Sequence, residues 1–300
     1  MRGLGAEKRE KGNRIMMYRA GLVLEGGGMK GIYTAGVLDF FMDKEIAFSD
    51  CYGVSAGACH LCNFMSGQRG RSYRISVNYL DMKQYCGKWS LLTTGNLFGV
   101  DMNYSLIPNY LDPYDYEAAA KYEGRAFAVA TDIKTGKPAY LPLKDLREDL
   151  MAVRASSSLP LVSRNVKIGD KVYLDGGISD SIPIRKSIQD GNRKNVVVMT
   201  KEEGFVRQPA GAELALAKAR YLRYPKVYEL MRGRHLSYNA TVQYMEEQRR
   251  KGELFVIRPK RKSEVGRIEK DKEKMKALYE EGYRDAQECY LELLEYLGQA

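Results

Sequence analysis

Histidines, cysteines and long apolar runs are all scarce in this sequence, and each shortage excludes a class of protein. The 300 residues include two histidines, five cysteines and one tryptophan. An odd number of cysteines without regular spacing excludes a disulfide framework and fits reduced thiols. No apolar run approaches the roughly 20 residues of a membrane-spanning helix, and the basic start lacks the apolar segment of a secretory signal. The sequence therefore predicts a cytoplasmic protein.

Positive charge is plentiful but unevenly distributed. The net charge of +10 is concentrated in the first 19 residues and in the stretches 218–234 and 249–274. Solvated surface side chains explain such stretches, and so does contact with an anionic membrane or an anionic substrate. No helix-turn-helix, zinc-finger or RNA-binding signature is present, so no nucleic-acid partner is expected. Peripheral contact with an anionic membrane is the resulting hypothesis, and the sequence indicates no oligomeric state.

Two apolar runs near the start of the chain each end in a glycine-rich turn. The first, at 19–25, is a predicted buried strand that leads into the loop 26–31 and then into a helix. The second strand ends at the turn 53–57, and another apolar helix follows. The order strand, loop, helix, strand, turn, helix predicts a three-layer α/β fold with a mostly parallel sheet.

Later segments extend this pattern. Further strands are predicted at 125–131, 139–143, 166–168, 172–174, 195–200 and 254–257, with a largely helical segment at 211–251 and one long amphipathic helix at 268–297. The tyrosine-rich segment 73–122, broken by prolines, is expected to form short helices and loops. These form either a cap beside the active site or a peripheral layer.

No internal repeat or linker divides the chain. One domain is therefore expected over 19–300, with a catalytic core at about 20–200 and a helical region at about 205–300. Residues 1–18 are expected to be a basic, disordered extension.

A serine stands at the tip of the second glycine-rich turn. Gly53, Val54, Ser55, Ala56 and Gly57 form the pattern G-x-S-x-G, a sharp strand-to-helix turn that exposes a nucleophilic hydroxyl. Glycine suits both of its places because a Cβ there would collide with neighbouring backbone. Ser55 is therefore a candidate nucleophile, and a serine nucleophile needs a proton acceptor within hydrogen-bonding reach.

Three side chains are candidates for that acceptor. His60 lies five residues after Ser55 on the same predicted helix and points away from the turn. His235 follows Ser55 and Asp175 in the chain order of an α/β-hydrolase triad, but it lies in a basic helical segment rather than in a loop. Asp175 leaves a strand directly into two glycines, so its carboxylate can project at the sheet edge and take the proton directly or through a water. The residues alone leave these alternatives open.

The first glycine-rich turn has two possible uses. Gly26, Gly28 and Gly31 follow a strand in the pattern G-x-G-x-x-G, the fingerprint of dinucleotide binding. The N–H groups exposed there stabilise negative charge, whether it belongs to a phosphate or to a tetrahedral oxyanion. Asp50 could supply the acidic residue that dinucleotide binding requires about twenty positions later, but the serine turn would then be unexplained. A P-loop is excluded because no Gly-Lys-Ser or Gly-Lys-Thr closes the pattern.

Four motifs in a fixed order resemble the patatin-like phospholipase family: the loop 26–31, the turn 53–57, the segment 155–160 with three consecutive serines, and the Asp-Gly-Gly at 175–177. The resemblance covers about residues 20–200, and the tail at 256–283 is similar to that of bacterial members. It implies a Ser–Asp dyad without histidine, with Ser55 as nucleophile and Asp175 as general base. The other implied site residues belong to the oxyanion loop, the serine turn and the Asp-Gly-Gly motif: Gly26, Gly27, Gly28, Lys30, Gly31, Gly53, Gly57, Gly176 and Gly177.

The same resemblance implies a three-layer α/β/α patatin-like fold with a mostly parallel central sheet and a long C-terminal helix. It implies a serine acyl hydrolase that cleaves phospholipids or other lipid esters without a cofactor or a metal. Cys59 and Cys62 lack the second cysteine pair of a zinc site. Two alternatives remain, a catalytically silent patatin-like scaffold that binds lipid or protein, and a nucleotide-binding module that uses the loop 26–31.

Overall fold

Alternate residues of the first strand contribute to two different hydrophobic cores. The computed structural model describes residues 16–298, and its first strand, β1, is Met16–Leu24. Leu22 and Leu24 pack into the larger core, whereas Val23 packs into a second core. Because successive side chains of a strand point to opposite faces, helices cover the sheet on both sides. The α/β/α arrangement predicted from the sequence is confirmed.

One sheet of eight strands runs through residues 16–298. The strands after β1 are β2 Ile46–Val54, β3 Arg125–Asp132, β4 Pro138–Pro142, β5 Val166–Ile168, β6 Lys171–Asp175, β7 Asn195–Val198 and β8 Phe255–Ile257. Their order is β5-β6-β3-β2-β1-β7-β8, with β4 also paired to β3. The run β3-β2-β1-β7-β8 is parallel, and β4, β5 and β6 are antiparallel additions. The sheet is therefore mostly parallel, as predicted.

Different helices cover the two faces of the sheet. The α-helices of the described residues are α1 Ile32–Asp43, α2 Ala56–Met65, α3 Arg71–Asn78, α4 Lys88–Thr94, α5 Tyr116–Ala120, α6 Leu146–Ser156, α7 Ile184–Gln189, α8 Glu213–Arg220, α9 Pro225–Arg250, α10 Lys272–Glu288 and α11 Tyr290–Gly298. The larger core takes apolar residues from α1, α2, α10 and α11, and the second core takes them from α7 and α9. None of these helices combines the length and apolar character that crossing a membrane requires.

The structure describes only part of the predicted N-terminal extension but all of the tyrosine-rich segment. The predicted basic extension at 1–18 lies mostly outside the described residues, and its last three residues belong to β1. The tyrosine-rich segment forms α3, α4 and α5 and the π-helical stretch Met102–Leu111. These are the short helices that the sequence predicts there.

A long C-terminal helix is present, but its bounds correct the prediction of a single helix over 268–297. The carboxylate of Asp271 accepts hydrogen bonds from the first N–H groups of α10, so the helix begins only after this residue. At Cys289 the backbone has φ −93° and ψ 11°, and α11 follows as a separate helix. In this arrangement the Tyr296 hydroxyl accepts a hydrogen bond of 2.8 Å from the N–H of Asn195 at the start of β7.

Two glycines bring α10 very close to α1. A Cβ on Gly36 would lie 2.0 Å from the carbonyl oxygen of Tyr279, and a Cβ on Gly282 would lie 2.1 Å from that of Tyr33. The Tyr33 hydroxyl also donates a buried hydrogen bond of 2.8 Å to Asp285. The backbones of the two helices are therefore in direct contact, which only glycine allows at these positions.

We expect Gly282→Ala to destabilise the fold by about 1–3 kcal/mol, because the added methyl forces two packed helices apart. Gly233→Ala is the matched control, since Gly233 lies within α9 and open space surrounds the position of its Cβ. Thermal unfolding of both variants checks the prediction. Equal melting temperatures would contradict the close helix contact.

Candidate active site

Ser55 occupies a strained turn between β2 and α2. Its backbone has φ 55° and ψ −122°, and a non-glycine residue in such a conformation costs about 1–3 kcal/mol. A Cβ on Gly53 would lie 2.6 Å from the Cα of Ala58, and one on Gly57 would lie 2.6 Å from the carbonyl oxygen of Leu24. Glycine is required at both places because the turn leaves no space for a side chain.

Two serines at the end of α6 hold this turn in position. The Ser55 N–H donates a hydrogen bond of 2.8 Å to the Ser156 hydroxyl, which donates at 2.6 Å to the carbonyl of Val129. The Ser157 hydroxyl donates to the Ser55 carbonyl at 3.2 Å. The strained backbone thus has a buried partner, Ser156, for its N–H group and a partly buried one, Ser157, for its carbonyl. The motif at 155–160 contains these serines but does not indicate this role, because the role depends on contacts between residues 101 and 102 positions apart in the chain.

Strand β3 lies between the two members of the predicted dyad. Val54 of β2 pairs with Val129, and the next residue of β3, Ala130, pairs with Asp175 of β6. The serine therefore follows β2 on one side of β3, and the aspartate ends β6 on the other. A Cβ on Gly176 would lie 2.1 Å from the carbonyl oxygen of Val129, so the chain can turn over β3 only at a glycine. Strand register thus places the serine and the aspartate at neighbouring positions of the sheet edge.

Asp175 is a buried carboxylate with one free oxygen. Oδ1 accepts a hydrogen bond of 2.7 Å from the Gly177 N–H, whereas Oδ2 forms no regular hydrogen bond with residues 16–298. Burial raises the pKa of Asp175, and hydrogen bonding from Ser55 and Gly177 together with the positive charges of Arg234 and Arg267 opposes this rise. The Ser55 hydroxyl is therefore near the carboxylate, but the contact is looser than a regular hydrogen bond, as is common before substrate binds. Oδ2 is the oxygen that can accept a proton.

The glycine loop 26–31 lies directly against the serine turn. A Cβ on Gly26 would lie 2.9 Å from the Cβ of Ser55. Gly28 has φ 58°, a conformation that glycine adopts without strain. Among hydrogen bonds within residues 16–298, none is donated by the N–H groups of Gly27 or Gly28. The free donors next to the serine favour an oxyanion over a dinucleotide as the group that this loop binds.

Glu25 fixes the start of the glycine loop to the C-terminal part of the chain. Its Oε2 accepts hydrogen bonds from the Thr200 N–H at 2.6 Å and from the Thr200 hydroxyl at 3.0 Å. Its Oε1 accepts one from the Tyr238 hydroxyl at 2.8 Å. Glu25 is 1% exposed, so these bonds satisfy a carboxylate that burial would otherwise penalise. No local sequence pattern indicates this role, because the partners are 175 and 213 residues away.

The segment 263–269 covers the other side of the glycine loop. The Met29 N–H donates to the carbonyl of Arg267 at 3.2 Å. Lys30, which the family resemblance includes in the oxyanion loop, extends its Nζ to 3.5 Å from the carbonyl of Ser263. The backbone of Lys30 is thus part of the loop, while its ammonium group contacts the covering segment.

Neither histidine is bonded to the aspartate. His60 is buried next to Gly31, and burial lowers its pKa to about 4, so it is neutral at pH 7. His235 lies in α9, and its Nδ1 has no hydrogen-bond partner among the described residues. Within residues 16–298 no three His, Cys, Asp or Glu side chains are grouped so that they could hold a metal ion. Among the three candidate proton acceptors, Asp175 is the one whose side chain interacts with the Ser55 hydroxyl.

A cavity of about 170 Å³ opens beside Ser55. Its lining is mostly apolar and comes largely from α2, α6 and the tyrosine-rich segment, including Tyr85, Phe98, Ile107, Leu150, Val153 and Met275. The tyrosine-rich segment is thus a cap beside the serine rather than a peripheral layer. Apolar cavities of about this size hold benzene-sized molecules, so a short piece of acyl chain fits here.

Family models match two parts of the chain. Residues 22–187 match the model of the patatin-like phospholipase family, and residues 224–298 match a domain of unknown function, DUF6363. The first match contains the glycine loop, the serine turn and Asp175. The second contains the segment that covers the glycine loop, together with the whole of α9, α10 and α11.

Two curated proteins are similar to part of the chain. One is "Uncharacterized protein YjjU" of Escherichia coli (strain K12), 35% identical over 188 residues, which are 61% of this chain and 52% of that protein. The other is "Probable lipid hydrolase 463L" of Invertebrate iridescent virus 6, 25% identical over 195 residues, which are 59% of this chain and 66% of that protein. The match therefore spans about half of the first relative and just under two thirds of the second.

Among solved structures, VipD from Legionella pneumophila aligns with 94% of this chain and 67% of its own. The TM-score is 0.45 and the sequence identity is 12%.

Proposed function

The chain belongs to the patatin-like phospholipase family, and from this premise we propose that it is a serine acyl hydrolase that acts on lipid esters. The observation that carries the proposal is the position of Ser55, in a strained turn, next to the free Oδ2 of the buried Asp175. Membership supports lipid hydrolysis at the level of the family. The particular reaction and the dyad are our inference from the geometry.

In the first half of the proposed reaction, the Ser55 hydroxyl attacks the carbonyl carbon of the ester. Its proton passes to Oδ2 of Asp175, and the carbonyl oxygen becomes an oxyanion. The N–H groups of Gly27 and Gly28 stabilise that oxyanion. Each such donor increases kcat by a factor of about 10²–10³. The tetrahedral intermediate then collapses, the alcohol leaves with the proton that Asp175 returns, and the acyl group stays on Ser55.

In the second half, water cleaves the acyl-serine. Asp175 takes a proton from the attacking water, and the same N–H groups hold the second oxyanion. Collapse releases the carboxylic acid and returns the proton to Ser55. One carboxylate thus acts as base and then as acid in each half, and no histidine is needed.

The proposal predicts a pH dependence that identifies the base. Catalysis requires ionised Asp175, and burial raises the pKa of this carboxylate above its ordinary value of about 3.9. Activity should therefore fall as the pH decreases through an apparent pKa above that ordinary value. The measurement is kcat/KM for a short-chain nitrophenyl ester as a function of pH, in the wild type and in His235→Ala. An acid limb near 6.5 that disappears in His235→Ala would show a histidine base instead.

The cavity beside Ser55 is the proposed acyl site, and narrowing it should select against longer chains. We expect Leu150→Trp to lower kcat/KM for a hexanoyl ester by about tenfold relative to an acetyl ester, since lost apolar contacts of this size are worth 10-fold or more. Met151→Trp is the control, because this neighbour on α6 is exposed and does not line the cavity. A uniform loss for both esters would contradict the assignment of the cavity.

We also infer a single domain over 19–300. Buried hydrogen bonds join the two halves of the sequence, from Tyr238 to Glu25 and from Tyr33 to Asp285, and α10 contacts α1 through glycines. Two independent thermal transitions would contradict this inference.

For the compartment we propose a cytoplasmic enzyme in peripheral contact with anionic membranes, since all five cysteines are free thiols and the chain is basic. Binding to vesicles that does not increase with their anionic lipid content would contradict the membrane contact.

A further inference from the structure

Four basic side chains lie around the side of the active site that contains Glu25 and Asp175. This cationic cluster consists of Lys201, Arg207, Arg234 and Arg267. A Cβ on Gly177 would lie 2.8 Å from Nη2 of Arg234 and 3.0 Å from Oδ1 of Asp175, so this guanidinium lies against the Asp-Gly-Gly turn. Arg267 contacts the glycine loop, since a Cβ on Gly28 would lie 3.1 Å from its Cγ. Two members of the cluster therefore touch the loops that hold the proposed base and the proposed oxyanion donors.

The other two members lie beside the anchor of the glycine loop. The guanidinium carbon of Arg207 is 4.2 Å from the ring centre of Tyr238, whose hydroxyl donates to Glu25. Lys201 and Arg207 flank the ring of Phe205, at 5.8 Å and 5.9 Å from its centre. These ring contacts hold both cations in position without neutralising their charge.

Two carboxylates, Glu25 and Asp175, interact with members of the four-residue cationic cluster, so positive charge is in excess there. Within residues 16–298, none of its members forms an ion pair, and Nε of both Arg207 and Arg234 lacks a hydrogen-bond partner. Glu25 is already bonded to Thr200 and Tyr238. By contrast, the buried Arg71 has Asp112 at 3.4 Å. Lys201, Arg207 and Arg234 are partly buried, and charges that are partly removed from water without an ion-pair partner are costly. A ligand is therefore expected to supply further negative charge.

The electrostatics of the cluster agree with this reading. Burial, together with the charges of Lys30, Arg207 and Arg267, lowers the pKa of Lys201 to about 8, against the attraction of Glu25. Burial, together with Arg207 and Arg267, lowers the pKa of Arg234 to about 10, against the attraction of Asp175 and Glu25. The charged forms of Lys201 and Arg234 are thus destabilised by burial and by neighbouring cations, and an anion bound beside them would relieve this repulsion.

We infer that Lys201, Arg207, Arg234 and Arg267 form an anion site that binds a phosphate group beside Ser55. Guanidinium groups match phosphate oxygens in geometry and bind them with charge-assisted hydrogen bonds. Ser55 lines the apolar cavity, whereas the cluster lies on the Asp175 side and is not part of the cavity lining. An ester carbonyl at Ser55 therefore has an acyl site on one side and an anion site on the other. The role of this site in substrate choice rests on the proposed function. The binding of phosphate does not depend on that function.

Equilibrium binding of inorganic phosphate to Ser55→Ala tests the site without any turnover. We expect saturable binding that weakens about tenfold or more when Arg207→Gln or Arg234→Gln is added, since a hydrogen bond to a charged group is lost. Arg232→Gln is the matched control, because Arg232 is an exposed residue of the same helix. Absence of saturable binding would overturn the inference. Equal weakening by Arg232→Gln would overturn it too, since it would show attraction by the general basic surface.

Turnover then separates a lipid head group from free phosphate. The substrates are a short-chain phosphatidylglycerol and the diacylglycerol with the same chains, both below their aggregation concentrations. We expect a kcat/KM about tenfold higher for the phosphate-bearing lipid in the wild type, and a gap that closes in Arg207→Gln. Equal turnover together with phosphate binding would support the site and assign it to free phosphate. If neither lipid is cleaved, the proposed function fails, while the phosphate titration still decides on the site.

Discussion

Replacement of Ser55 by alanine should lower kcat for a short-chain nitrophenyl ester by about 10⁴- to 10⁶-fold, the loss expected when a serine nucleophile is removed. The fold should persist, because alanine occupies the same volume less one oxygen and is no more strained than serine at φ 55°. The hydrogen bonds of Ser156 and Ser157 reach only the backbone of residue 55, so the turn keeps its supports.

Ser105→Ala is the matched control, since Ser105 is exposed in the π-helical stretch. Its activity should equal that of the wild type. A Ser55→Ala protein with a normal melting temperature and substantial esterase activity would remove Ser55 from the mechanism.

Asp175→Asn should lower kcat by about 10²- to 10⁴-fold, the contribution of a positioned general base. The amide oxygen can still accept the hydrogen bond from the Gly177 N–H, so the geometry of the turn is retained. Asp180→Asn is the control, because Asp180 accepts a hydrogen bond from Tyr140 and lies outside the proposed dyad. Near-normal turnover by Asp175→Asn would contradict the role of the base.

The same variant should be at least as stable as the wild type at pH 7. Burial raises the pKa of Asp175 in the folded state, so the folded protein binds a proton more readily than the unfolded chain does. The contribution of this group to the free energy of unfolding therefore increases as the pH falls through the raised pKa. At neutral pH the ionised carboxylate destabilises the folded state. A neutral amide removes that cost. A marked fall in melting temperature at pH 7 would show that the carboxylate supports the fold.

The fold class could be predicted because its signals are local and ordered along the chain. The apolar run before the glycine loop, the turn at Ser55 and the hairpin of β5 and β6 each show in a few adjacent residues. Their order also indicated the patatin-like phospholipase family, which the match over residues 22–187 confirms. The assignment of Ser55 and Asp175 as a dyad remains a prediction that the geometry supports.

Features that depend on distant contacts could not be predicted. The roles of Ser156 and Glu25 follow from hydrogen bonds across more than a hundred residues, and no local pattern marks them. The end of α10 at Cys289 was missed because the apolar stripe continues through the bend. The basic stretches are visible in the sequence, but only the fold shows that Arg234 lies against the Asp-Gly-Gly turn and Arg267 against the glycine loop.

Mass spectrometry of the protein after treatment with a fluorophosphonate ester tests the central claim most directly. This reagent phosphonylates an activated serine and releases fluoride, so it reports the nucleophile without requiring the natural substrate. We predict one adduct, on the peptide that contains Ser55, formed much more slowly in Asp175→Asn and absent in Ser55→Ala. An adduct on another residue, or labelling of Ser55 that is as fast in Asp175→Asn as in the wild type, would contradict the Ser–Asp dyad.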